Sequence, residues 1–412
     1  MISIPNFFLP SLFCASGQLQ RGLPPPLRSF GNVEIAPFKG GAPAAVSISA
    51  DFELAWAWRN LSSEAMEARG AAERENVPRL VAMLDRHRIP ITWATVGHLF
   101  LESCKRGTDG CGHPEMARPA KNFGWDGDWY VHDPCSDVCS APSWYCPDLI
   151  KLIQQSDVGH EIGTHSFSHI DFGPDGADTA LVQREMEACI EVMRPFGLHP
   201  RSLVYCFNHM GHQHLPLLAA LGLTSVRDRD RVRLAYPERT DAGVYKIRES
   251  MNLRFARRYD YVAKADLFLR ESQKRSAAFH IWFHPSDSWS VFTQVFDPIL
   301  NTIASYRDRG EVWVATMQDL ASYCEARAMT DLAVTTTPNA TRIAMRSTVD
   351  VNRFGTPDIT LVVALPNNPA RIIVIRDGVS QLLSPSAVVR GRQPGTIQFD
   401  VSCRAEQIDI TT

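Results

Sequence analysis

No stretch of 18 uncharged apolar residues occurs in the 412-residue chain, so no transmembrane helix is expected. An excess of one charge is also missing. The formal net charge is −3, which leaves no basic field for nucleic acid or an anionic membrane surface. Lysine is scarce, seven of 42 basic residues, and no function is read from that. Ten cysteines are present, and five of them (Cys104, Cys111, Cys135, Cys139, Cys146) fall within 43 residues. No pair among the five has CxxC spacing, which speaks against a structural zinc knuckle. They suit disulfides in an exported protein and free thiols in a cytosolic one equally. The opening MISIPNFFLPSLFCASG has no basic n-region and two prolines interrupt it. It reads as a poor signal peptide, so a cytoplasmic location is expected.

The remaining composition is ordinary: 45% apolar and 21% charged, in a length that suggests two to three domains or one large one with an appendage. Residues 1–40, rich in Pro, Gly and Phe, read as an extended arm. Residues 41–328 alternate strand and helix. Strands are expected at Ala45–Ala50, Ile91–Val96, His160–Thr164, Ser202–Cys206, Ala277–Phe283 and Val312–Ala315. Helices are expected at Asn76–Arg88, Pro147–Ser156, Thr179–Met193, His214–Leu221, Ala263–Arg275, Pro298–Arg309 and Gln318–Arg327. Nearly seven βα units imply a parallel sheet closed into a barrel. Residues 101–145 break this rhythm as an aromatic and cysteine-rich loop insertion, whose Trp125 and Trp129 are expected to wall a sugar site. Residues 331–412 carry short β-branched runs, a small all-β domain with no chemistry of its own.

Three segments place reactive residue types at expected strand ends, where parallel α/β folds put their sites. In Ser47-Ile48-Ser49-Ala50-Asp51-Phe52-Glu53, the two carboxylates are two apart and point the same way on an extended backbone. Such a pair repels itself unless a cation or proton lies between. The alternative is a solvated acidic loop. In His165-Ser166-Phe167-Ser168-His169, the histidines share one face of a helical turn and can chelate one divalent ion. Alone, that spacing arises often by chance; after a strand, and downstream of the acidic pair, it completes an open three-ligand site. In Phe279-His280-Ile281-Trp282-Phe283-His284-Pro285, His284 ends the strand, placed to protonate a leaving group. A buried histidine bonded to a carbonyl is the bland alternative, and it suits His280 better than His284.

Together the three motifs resemble the polysaccharide deacetylases, the NodB-homology or carbohydrate esterase family 4 proteins, over roughly residues 44–328. The resemblance implies a distorted (β/α)7 barrel with a small all-β C-terminal domain. It implies metal-dependent removal of an acetyl group from an N-acetylated sugar or polysaccharide. Asp51 would be the base, His284 the acid, and Glu53, His165 and His169 the ligands of a divalent metal, with zinc favoured. Trp282, His280 and Asn208, with Trp125 and Trp129, complete the substrate-binding candidates. The expected partner is a carbohydrate or amino sugar, with no nucleic acid; an oligomer is compatible. One departure stands out. The family's third motif carries an arginine that pairs with the catalytic aspartate, and Phe207 stands there in Val204-Tyr205-Cys206-Phe207-Asn208-His209. Arg201, Arg227 and Arg248 are the candidates to replace it. The alternatives are a hydrolase of a small ureide or formamide on the same fold, and a non-catalytic glycan-binding relative.

Overall fold

In the computed structural model, which describes residues 22–119, 127–253 and 258–412, seven parallel strands close a barrel. They are β1 (Ala45–Phe52), β2 (Thr92–Thr95), β3 (Glu161–Thr164), β4 (Ser202–Val204), β5 (Ser225–Asp228), β6 (Tyr245–Asn252) and β7 (Ala278–Phe283). They pair in chain order, and β7 closes the ring onto β1. The helices are α1 (Ser63–His87), α2 (Pro147–Gln154), α3 (Thr179–Met193), α4 (Leu215–Ala220), α5 (Arg258–Arg275), α6 (Asp297–Asp308) and α7 (Met317–Met329). This is the distorted (β/α)7 barrel that the motifs imply.

All eight residues of β1 are buried, yet its two faces differ. Val46, Ile48 and Ala50 belong to the main apolar core, while the alternate Ser47, Ser49 and Asp51 make polar contacts with β5 and β7. The register sets Ser47 beside His280 and Ser49 beside Trp282. The lower interior is apolar and is plugged by α7, whose Met317, Leu320 and Cys324 cluster with Ala45, Val204 and Ile247.

Two differences from the sequence reading bear on the site. Helix α1 runs 25 residues, three turns more than expected, because its first half buries Glu73 and Gly70 rather than an apolar stripe. Strands β5 and β6 were not expected at all, since buried charges in them mimic surface loops.

Among the described residues no helix is long and apolar enough to cross a membrane, and nine cysteines are free. After the barrel, two five-stranded antiparallel sheets enclose a second core. The segment before the barrel is more than an arm. Val33–Ile35 pairs with Asp358–Ala364, and its Val33 and Ile35 are buried in that second core.

Candidate metal and acid–base site

The turn that leaves β1 delivers Glu53. The Glu53 amide donates to Glu73 of α1 at 2.8 Å, which fixes the turn from behind. Burial, and then the charge of Glu53, raise the Glu73 carboxyl well above its usual range. Leu54, Ser166, His169, Phe207 and Asn208 all have positive φ, a costly backbone state for residues with a Cβ. Five such residues around one site are strain held by the surrounding contacts.

The loop from His165 to His169 is not the helical turn expected. It is irregular, with left-handed residues at Ser166 and His169, and it still brings both rings to one point. His165 Nε2 lies 2.9 Å from Glu53 Oε1 and His169 Nε2 lies 3.1 Å from the same oxygen. His165 donates its Nδ1 proton to the Val204 carbonyl at 2.8 Å, so in its neutral form the ring presents a lone pair to the carboxylate. Glu53 Oε2 is buried without a hydrogen-bond partner. With both rings neutral, acceptors face acceptors in a buried pocket, a set that could hold a divalent cation. Burial drops His169 to about 4, which keeps it neutral as a ligand must be. Burial alone would raise the Glu53 carboxyl, but the charge of His284, and hydrogen bonds from His165 and His169 when their Nε2 atoms carry protons, hold it well below the usual carboxylate range.

Asp51 lies beside this cluster, and its carboxylate is gripped by Arg227. The guanidinium meets both carboxylate oxygens, one of them at 2.7 Å, and its other protons reach Ser49 Oγ and Asn208 Oδ1, each at 3.1 Å. The Trp282 ring covers it, 4.4 Å from the guanidinium carbon. Arg227 comes from β5 and pairs with Asp51, whereas Phe207 has no guanidinium to offer. Arg201 instead bonds the Gly222 and Asn352 carbonyls, and Arg248 pairs with Asp228 and Glu238. Phe207 lies against His169, ring centroids 4.7 Å apart.

His284 sits across the cluster, its Nε2 3.8 Å from Glu53 Oε2, with its ring between Trp58 and Trp282. Trp282 and Asn208 line a neighbouring cavity of about 420 Å³, together with Arg229, Arg233, Glu249 and Lys264.

Two substrate-binding expectations change. His280 is fully buried, its ring nitrogens bonded to Ser47 Oγ at 2.7 Å and Ser49 Oγ at 3.0 Å, so neither is free for a substrate. Burial and Arg227 push its pKa well down, and it joins β7 to β1 as a neutral ring. Trp129 is 1% exposed, with Nε1 on Ser168 Oγ at 3.0 Å. Its ring stacks on Arg59, whose Nη2 donates to the Ser168 carbonyl at 2.8 Å. It therefore braces the histidine loop and walls no groove. Tyr130, Trp144 and Tyr145 are buried as well. Trp125 lies outside the described residues.

Sequence reasoning did not find Arg59, Glu73 or Glu185, whose carboxylate receives the Ser168 amide and hydroxyl. Glu73 and Glu185 lie on α1 and α3 and Arg59 in the turn before α1, and no sequence motif marks any of them.

The constellation lies at the carboxyl ends of the strands of a closed parallel barrel, the fold that the motifs resemble. The polysaccharide deacetylase family model matches residues 69–226 of the chain. The match spans His165 and His169; Asp51, Glu53, Arg227 and His284 lie outside it. Among solved structures, one assigned as a polysaccharide deacetylase from Mycobacterium smegmatis aligns with TM-score 0.50 and 18% identity, over 77% of this chain and 99% of its own. One from Pseudomonas aeruginosa PAO1, also assigned as a polysaccharide deacetylase, gives TM-score 0.48 and 15% identity, over 69% and 92%. Puue allantoinase gives TM-score 0.47 and 16% identity, over 69% and 92%. No curated protein matches the sequence.

Proposed function

We propose that the chain is a metal-dependent hydrolase that removes the acetyl group from the nitrogen of an amino sugar. The observation that carries this reading is the set of Glu53, His165 and His169 around one point, with Asp51 and His284 beside it. A divalent ion held by those three residues supplies Lewis-acid chemistry to an acyl carbonyl and to water. Asp51 takes the proton from the attacking water. Arg227 keeps that carboxylate oriented through its two-point contact. His284 gives a proton to the departing amine from the opposite side. Asn208 and Trp282, which hold Arg227 and also line the cavity, put the base next to bound substrate.

The burial of the described insertion aromatics favours a second reading, a small ureide or formamide as substrate. No stacking wall for a polysaccharide is left among those residues, and a cavity of about 420 Å³ suits a small ligand. The non-catalytic alternative rested on an aspartate without its arginine, and Arg227 removes that ground.

The deciding experiment is a screen of metal-reconstituted protein against N-acetylated sugar oligomers, nucleotide sugars and small amides. Acetate release from an amino sugar supports the first reading. Release of ammonia or formate from small amides alone supports the second, and no turnover of any class overturns both.

A further inference from the structure

We propose that the chain binds a second divalent metal ion, structural rather than catalytic, on His98, Cys104, His113 and Asp133. The ligand atoms of these four residues all lie within 4.8 Å of one another. His98 and Asp133 are fully buried and His113 nearly so. Zinc fits the set: one sulfur, two imidazole nitrogens and one carboxylate oxygen, four donors that close a tetrahedral shell.

The hydrogen bonds show which atoms are left over. Asp133 Oδ1 accepts the Cys135 amide at 2.9 Å, and the Tyr145 hydroxyl lies 3.4 Å from it and 3.1 Å from Cys104 Sγ. Its Oδ2 faces His113 Nε2 at 2.9 Å, His98 Nε2 at 3.2 Å and Cys104 Sγ at 3.5 Å. Both rings have already committed their other nitrogen. His98 Nδ1 lies 3.3 Å from the Trp144 carbonyl, and His113 Nδ1 lies 3.1 Å from Glu115 Oε1. In its neutral form each ring therefore turns a lone pair inward. The two Nε2 atoms are 3.1 Å apart. One proton at Nε2 of one ring leaves the lone pair of the other facing the Asp133 carboxylate; two protons put two cations side by side in a buried pocket. One dication settles every contact together, and a thiolate with a carboxylate cancels its charge. A tetrahedral zinc shell has ligand–ligand edges of about 3.3–3.6 Å, close to the separations here. The outward hydrogen bonds of both imidazoles are the usual means of orienting metal-bound histidines.

The location gives the ion a task. Cys104 and Asp133 stand near the two ends of the insertion, and His98 follows β2. Gly97 and His98 donate their amides to the Ser166 and Phe167 carbonyls at 2.8 and 2.9 Å. The Phe167 ring lies 5.8 Å from His98 and 5.7 Å from His113. The ion would tie the insertion to the loop that presents His165 and His169. The absence of CxxC spacing hid it, because a single cysteine contributes.

The test is metal analysis of the full-length protein, independent of any substrate. Two zinc equivalents are expected per chain, one remaining in the Cys104→Ser variant and one in the His165→Ala/His169→Ala double variant. X-ray absorption of that double variant, zinc-loaded, should show one sulfur in the zinc shell. Loaded with cobalt, it should show a thiolate charge-transfer band that Cys104→Ser abolishes and Cys206→Ser leaves intact. A wild type holding one equivalent that the double variant loses overturns the proposal. So does a sulfur-free shell, or a Cys104–Cys135 disulfide in a non-reducing peptide map. The X-ray measurement keeps the test sound if Cys104→Ser does not fold.

Discussion

Arg227 reaches from β5 across the barrel to clasp both oxygens of the Asp51 carboxylate, 176 positions away in the chain. The contact replaces a fork that the motif pattern places at position 207. Lysine keeps the charge and loses the two-point geometry. Arg227→Lys should therefore lower kcat/KM by roughly 10–100-fold with the metal content unchanged. Arg201→Lys should leave it unaltered. Equal activity of both variants would separate Arg227 from catalysis. Arg227→Ala should also destabilise by about 3–5 kcal/mol, because a buried carboxylate loses its partner.

Replacing His165 and His169 together by alanine should remove one metal equivalent per chain. Elemental analysis after dialysis reads this directly, and unchanged stoichiometry would refute the ligand assignment.

His284→Asn should lower the rate by roughly 10²–10⁴-fold, the worth of one acid–base group. Its metal content should match the wild type. A rate within a few-fold of wild type would make His284 structural.

Trp129→Ala should act on stability rather than on substrate affinity. The ring is buried against Arg59, so its loss should cost about 3–5 kcal/mol in chemical unfolding. KM should be unchanged, and a raised KM at wild-type stability would restore Trp129 to the substrate wall.

Glu161 lies where α7 docks on the barrel, accepting the Thr92 hydroxyl at 2.7 Å and the Gln318 amide at 3.0 Å. Burial raises its carboxyl from 4.5 to about 7. The folded state therefore holds this proton more tightly than the unfolded chain. The contribution to stability is complete below the unfolded value and is lost as pH rises through the folded one. Relative to Glu161→Gln, the wild type should lose on the order of 3 kcal/mol across that window. Parallel stability curves for the two proteins would show that the carboxyl does not titrate there.

Much of this was legible in the sequence. Helix α3 falls on Thr179–Met193 as its spacing predicts, and β1, β3 and β7 with their motif residues lie within two residues of expectation. These elements declare themselves through local apolar periodicity. Arg227 did not, because Ser225-Val226-Arg227-Asp228 reads as a charged loop. Its charges are buried only because Asp51 and Arg248 arrive from other strands. Trp129 failed differently: composition marks an aromatic as important without saying whether it faces a ligand or a neighbour. The insertion's histidines gave no motif, since their partners in space are spread from residue 98 to 133.

Val33–Ile35 has a consequence in time. The Asn32 side chain bonds to the carbonyl of Ala364, 332 positions later. At a translation rate of about 5–20 residues per second, the ribosome needs roughly 15–65 s to cover that distance. Throughout that interval the strand has no sheet to join, while β1 waits for β7 to close the ring. The nascent chain thus carries two open edges at once, and both close only late in synthesis. Chaperone demand during translation should follow from this order of events more than from the stability of the finished protein.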